Sequence, residues 1–193
     1  MSENKQAEMC PPEIKRTATF GGKSSRCRFT LRRQWSDHGP FAAVIGCNPS
    51  LGDGLKDDPT IRWWIKWFKQ AGFRGFVAVN LYPFVSSSPS VCRRLANWEA
   101  TRDWYARDDI LFNLSFVVDE SKAADQVFVC WGAIAWDQDW VEYVIDEIQS
   151  NESPWPHLWC WGFNHNGAPK HPMARGKHRI LANQKALLWR VSV

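Results

Sequence analysis

The stretch Ala43-Val44-Ile45-Gly46-Cys47-Asn48-Pro49-Ser50 decides the fold. An unbroken apolar run with no polar residue alternating describes a strand buried on both faces, and such strands belong to parallel sheets covered by helices. The run ends at Gly46 in a small, polar turn. The same form returns in Val77-Ala78-Val79-Asn80-Leu81-Tyr82-Pro83, in Val127-Phe128-Val129-Cys130-Trp131-Gly132-Ala133, and in Leu158-Trp159-Cys160-Trp161-Gly162, which leads on to His171-Pro172. Ligands of open parallel sheets collect outside the carboxyl ends of the strands. Asn48, Asn80, Gly132 and His171 are therefore expected to converge on one site.

The intervening segments read as helices. Asp58-Pro59 supplies an N-cap followed by proline at the first helical position, and Gly72 ends a helix over residues 59–71. Ile61, Trp64, Ile65 and Phe68 form its apolar stripe. Trp63 and Trp67 lie off that stripe, where core packing is favoured over an interface or a stacking surface. A strand over residues 75–82 completes a right-handed β-α-β unit. After a serine-rich loop come a long charged helix over residues 91–114, a strand over 126–130, a helix over 133–149 and a strand over 157–161. Upstream, residues 17–35 alternate around Gly21-Gly22-Lys23-Ser24, a hairpin signal. The expectation is a three-layer α-β-α domain over residues 17–193, with a central, mostly parallel four-stranded sheet and an N-terminal antiparallel hairpin. Residues 1–16, polar and carrying Pro11-Pro12, read as a flexible arm.

At 193 residues and 45 % hydrophobic, the chain suffices for one self-supporting core. No apolar stretch approaches the roughly 18 residues of a membrane span, and residues 1–16 lack the apolar core of a secretory signal, so a cytoplasmic protein with no membrane partner is expected. The six cysteines contain no C-x-x-C pair and read as reduced core residues rather than a zinc site or disulfide framework. No metal or other cofactor is expected. Residues 153–193 carry six cations and no carboxylate, leaving −2 for the remainder of a chain whose net charge is +4. Such a segment suits a polyanionic partner or a solvated basic face.

From Thr17 to about Arg179 the chain resembles the bacterial and phage family catalogued as domain of unknown function 1643. The resemblance is carried by Arg28-Phe29-Thr30-Leu31-Arg32-Arg33-Gln34-Trp35, Asn48-Pro49-Ser50, Asp57-Asp58-Pro59-Thr60-Ile61-Arg62, Val79-Asn80-Leu81, Trp131-Gly132-Ala133 and Gly167-Ala168-Pro169-Lys170-His171-Pro172. A more distant resemblance is to the uracil-DNA glycosylase superfamily. Its four landmarks fall in order on Gly46-Cys47-Asn48-Pro49, Asn80, Gly132-Ala133 and His171-Pro172.

The second resemblance implies a glycosylase-like fold and a DNA glycosylase-like activity that excises an unusual or modified base. Asn48 would hold the attacking water, His171 would donate to the base oxygen that gains charge, and Asn80 would read the pyrimidine edge. Gly46, Pro49, Ser50, Tyr82 and Gly132 would line the substrate site, while Lys170, Arg175, Lys177 and Arg179 would meet DNA phosphates. Two features depart from the superfamily: Met173 stands where small polar residues usually follow His-Pro, and Asn48 stands where a carboxylate would favour uracil excision.

Each residue also has a structural reading: Asn48 as an Asx-turn residue, Asn80 as a loop tie, His171 as a surface loop residue. Asp57 and Asp58 suggest a metal pair, but N-capping accounts for Asp58 and solvent exposure for Asp57. The alternative functions are a non-catalytic module that binds nucleic acid or a free nucleotide, and an enzyme of nucleotide or base hypermodification.

Overall fold

The computed structural model describes residues 13–150, 156–181 and 183–191. Its strands are β1 (Lys15–Gly21), β2 (Cys27–Gln34), β3 (Phe41–Gly46), β4 (Gly75–Asn80), β5 (Gln126–Val129), β6 (Leu158–Cys160) and β7 (Leu187–Arg190). They form one sheet in the order β1-β2-β4-β3-β5-β6-β7. The helices are α1 (Pro59–Gln70), α2 (Pro89–Ala96), α3 (Trp98–Thr101), α4 (Trp104–Ala123) and α5 (Gln138–Gln149).

The four strands read from the apolar runs are the parallel centre: β3 pairs with β4 on one side and β5 on the other, and β5 pairs with β6. The expected four-stranded sheet is nevertheless too small, because the hairpin and a C-terminal strand extend it to seven. Leu31–Gln34 of β2 continue the ladder antiparallel to β4, and β7 adds antiparallel to β6. Of the arm expected over residues 1–16, residues 1–12 lie outside the described residues, and Lys15 and Arg16 belong to β1.

Alternate side chains of the central strands feed two cores, as the period of two requires. Ala43, Ile45, Val77, Val79, Val127 and Val129 pack towards α4 and α5, with Ile110, Val117, Val141 and Ile145. Ala42, Val44, Phe76, Ala78 and Phe128 pack towards α1, with Ile61, Trp64 and Phe68. Trp161 joins the second core, stacked on Phe128 at 5.1 Å. Trp63 and Trp67 both meet Trp161 edge-on, and the Trp67 indole N–H donates to the Gln184 carbonyl at 2.9 Å. They pack as core-lining residues, though each stays half-exposed.

Two helical expectations change. The single helix over residues 91–114 is three: α2 gives way at Asn97, and Arg102, with φ of 53°, separates α3 from α4. A left-handed residue cannot continue a right-handed helix. The helix expected from residue 133 begins at Gln138, capped by Asp137, after a 3₁₀ turn Gly132–Ile134.

Asp58 caps α1 as expected, its Oδ1 accepting from the Ile61 N–H at 2.9 Å. Asp57 is not the solvated residue expected of it. Its carboxylate accepts from Arg33 Nε at 2.6 Å and from Arg16 at 3.1 Å, and the Arg33 side chain is wholly buried. Arg33 completes its bonds on the carbonyls of Asp53 and Arg32. The pair pins the loop before α1 to the hairpin.

Five cysteines, Cys27, Cys47, Cys92, Cys130 and Cys160, are buried free thiols. Burial pushes Cys27 and Cys47 up to about 12 and raises the other three. No described helix is long and apolar enough to cross a membrane.

Removing one partner of a buried ion pair strands the other charge, at a cost of about 3–5 kcal/mol. Asp57→Ala is expected to lose stability on that scale in urea unfolding, whereas replacement of the exposed Asp37 should change it by less than about 0.5 kcal/mol.

Candidate functional site

The site grows from the carboxyl ends of β3 and β4. The ladder continues one step beyond the strands, with Leu81 N–H donating to the Gly46 carbonyl at 2.9 Å and Tyr82 N–H to that of Cys47 at 3.0 Å. Glycine at position 46 makes room for the Asn80 carboxamide, since a Cβ there would stand 2.7 Å from Asn80 Oδ1. Asn80 is thus held against β3, while its backbone carbonyl accepts from Asn113 Nδ2 of α4 at 2.8 Å. Its own Nδ2 is buried and has no partner among the described residues.

Asn48 turns the chain out of the sheet. Its Nδ2 donates to the Ser86 carbonyl at 2.9 Å and to the adjacent Pro49 carbonyl at 3.2 Å, and Ser86 N–H donates to Pro49 at 2.9 Å. The carboxamide therefore clasps two loops together, and its oxygen is the end left to accept from a ligand or water. A carboxylate at this position would face two carbonyl oxygens.

Below this clasp lies a cavity of about 200 Å³. Gly46, Asn48, Ser50, Asn80 and His171 all line it, from three strand ends. Arg28 of β2, Asp58 and Trp64 of the α1 region, and Ile134 complete the walls. Arg28 is 4 % exposed; one nitrogen bonds the Gly52 carbonyl, but its Nε has no partner among the described residues. Burial lowers this guanidinium to about 10, against the nearby charge of Asp58. The Trp64 indole N–H is likewise buried and unpartnered. Eight buried side-chain atoms lack a partner among the described residues, and three of them surround this one cavity.

His171 reaches the cavity on the loop after β6. Gly132 N–H donates to the Pro169 carbonyl at 3.0 Å and Lys170 N–H to that of Gly162 at 2.8 Å, which draws this loop across the end of β5. Gly132, at φ of 75°, packs closely against the start of the His171 side chain, since a Cβ there would stand 3.3 Å from His171 Cβ. Met173 N–H donates to His171 Nδ1 at 3.1 Å. A neutral ring that accepts at Nδ1 carries its proton on Nε2. Burial lowers the pKa of His171, and Asp58 partly offsets this.

Other expected site residues fall elsewhere. Pro49 takes part in the clasp and does not line the cavity, and Gly132 packs against the start of the His171 side chain. Tyr82 lies in a separate aromatic groove. Arg175 and Arg179 line a groove of about 530 Å³ on the α1 side with Trp63, Lys66 and Trp67. The Lys170 side chain lies over Gly162, and Lys177 sits in a 3₁₀ turn, Gly176–His178. Sequence reading missed Arg28, Trp64 and Ser86 as cavity residues. No group of His, Cys, Asp and Glu placed to hold a metal ion occurs among the described residues.

A family model described as Protein of unknown function (DUF1643) matches residues 28–173. The chain belongs to that family. The DUF1643 match opens on Arg28 and closes on Met173, whose N–H sets the His171 tautomer, so it spans every residue of the cavity. No curated protein and no solved structure matches the chain.

The lowered pKa of His171 fixes a sign for pH dependence. As pH falls through the ordinary value of 6.5, the unfolded chain takes up a proton that the native imidazole still refuses, so stability drops until the folded pKa is passed. The wild type should lose more stability than His171→Gln between about pH 7.5 and about pH 5.5, measured by urea unfolding.

Proposed function

We propose that this chain binds a nucleobase in the Asn48–Asn80–His171 cavity and cleaves its N-glycosidic bond with water, the base being an unusual or modified one in DNA. The observation that carries the reading is the meeting of two carboxamides and a neutral imidazole, from three strand ends, in one small cavity. A volume of about 200 Å³ suits one planar ring and falls below the roughly 300 Å³ at which pockets for larger ligands begin.

The chemistry follows from the atoms left unspent. Asn80 Nδ2 reads an acceptor on the edge of the base, and the Asn48 oxygen accepts from a water held against the anomeric carbon. The water oxygen bonds to that carbon as the C1′–N bond breaks, and the electron pair leaves with the base. Asp58, a carboxylate on the same cavity wall, takes the proton of the water. His171 Nε2–H meets the base oxygen on which charge gathers, and the released base takes a proton from solvent. The glycosylase landmarks in the sequence support the same assignment. Asn48 in place of a carboxylate implies slow or no excision of uracil itself.

Phosphates belong on the neighbouring groove. Lys66, Arg175 and Arg179 line it with no carboxylate, directly beyond His171-Pro172, and Lys170 and Lys177 lie on the same basic segment. A second reading, recognition of a base without cleavage, is favoured by one fact: both hydrogen bonds of the Asn48 NH₂ already serve to hold loops.

Base release from single- and double-stranded oligonucleotides carrying uracil and modified pyrimidines tests the proposal. His171→Ala should reduce release by about 10²–10³, the scale of losing one charge-stabilising donor. Asn48→Ala should abolish it, with thermal midpoints confirming that both variants fold. Undiminished release in both excludes the mechanism. Salt-dependent binding with no abasic product selects the second reading.

A further inference from the structure

Beyond the loop that carries Ser86 lies a second groove, of about 440 Å³, on the same carboxyl edge of the sheet. The two sites share both connecting segments: Tyr82 follows Asn80 by two residues, and Trp136 follows Ile134 by two. Nothing in the cleavage mechanism uses this groove. Its walls are aromatic, with Tyr82 stacked on Trp136 at 4.5 Å and 14°, and Trp140 close to Tyr82 at 6.3 Å. The Trp140 indole N–H is fixed on the Leu81 carbonyl at 3.1 Å, so the ring is held in place. Trp98 faces this cluster from α3.

Charge is supplied from the helices. Arg93 and Arg107 are exposed at the rim, and the Arg107 guanidinium lies 5.5 Å from the Trp98 ring centre. Two carboxylates also line the groove: Glu99, and Asp137, which is committed to capping α5 through the Trp140 N–H at 3.0 Å. The independent pointer to a ligand is the Tyr82 hydroxyl. The residue is 3 % exposed, it lines the groove, and its oxygen has no partner among the described residues. A polar atom taken from water without a partner is a standing cost that a ligand's donor or acceptor removes.

We infer that the groove of Tyr82, Trp98, Trp136, Arg93 and Arg107 is a second binding site, for a nucleotide whose base lies among the aromatic rings and whose phosphate meets the two guanidinium groups. Rings of this kind bind any base through its π face, and arginine adds a charge-assisted contact to phosphate. The Tyr82 hydroxyl then bonds an edge atom of the base or sugar. The nucleotide is either free or the neighbour, in the same strand, of the one whose base enters the Asn48 cavity. The strand source rests on the proposed function; the site itself does not.

Calorimetric titration of the full chain with thymidine 5′-monophosphate and with a short oligothymidylate tests this. Arg107→Gln and Tyr82→Phe, an exposed change and a near-isosteric one, should each weaken nucleotide binding by about 3–30-fold with thermal midpoints retained. Oligothymidylate bound more tightly than the monophosphate, with an affinity that falls with salt, assigns the site to a strand; equal affinities assign it to a free nucleotide. No binding of either probe, or binding untouched by both variants, overturns the inference. Loss of binding in these variants, in a protein that releases no base from any substrate, leaves this site standing while the glycosidic reading falls.

Discussion

The hydrogen bonding of β3 on both its edges, to β4 on one side and β5 on the other, is the constraint from which the rest follows. Because all three strands run the same way, their carboxyl ends open together, and the chain leaves β3 and β5 towards opposite faces of the sheet. That divergence creates the crevice in which the cavity forms. Gly46 sits at its floor, where a side chain would have to displace the Asn80 carboxamide. The Asn48 clasp, the Arg33–Asp57 pair and the loop carrying His171 each fix one wall around that floor.

Much of this was legible in the amino-acid order, for a physical reason. Strands buried on both faces leave unbroken apolar runs, and the polar residue that ends each run must lie at the sheet edge; Asn48 and Asn80 could be placed by that logic alone. His171 was harder to place, because nine residues separate it from Trp161. Arg28 was hidden because a charged residue in a hairpin strand reads as solvent-facing, and only the loop that folds over it from Gly52 to Asp58 puts it inside. The course of α4 was hidden too. Its buried stripe of Ala106, Ile110, Asn113, Val117 and Ser121 is interrupted by polar residues, while Leu111 and Phe112 face outwards. The edge strand β7, of four residues, is too short for its alternation to stand out.

Buried donors without partners cost about 1–3 kcal/mol each. Arg28 Nε, Trp64 Nε1 and Asn80 Nδ2 bear that cost around one cavity, and the Tyr82 hydroxyl bears it in the groove alongside. Half of the unpartnered atoms among the described residues therefore gather along a single rim of the fold. A chain that folded only for stability would distribute such losses or remove them. Their concentration is the physical argument that this rim is kept ready for something else to bind.

Cys47 adds a chemical limit. It is the sulfur on the cavity wall, and burial pushes its thiol up to about 12, which holds it in the neutral form at neutral pH. For the proposed reaction this means that the thiol on the wall is a weak rival to water as nucleophile. Buried and held as the thiol, Cys47 is also a poor target for electrophiles and oxidants, which act on the thiolate.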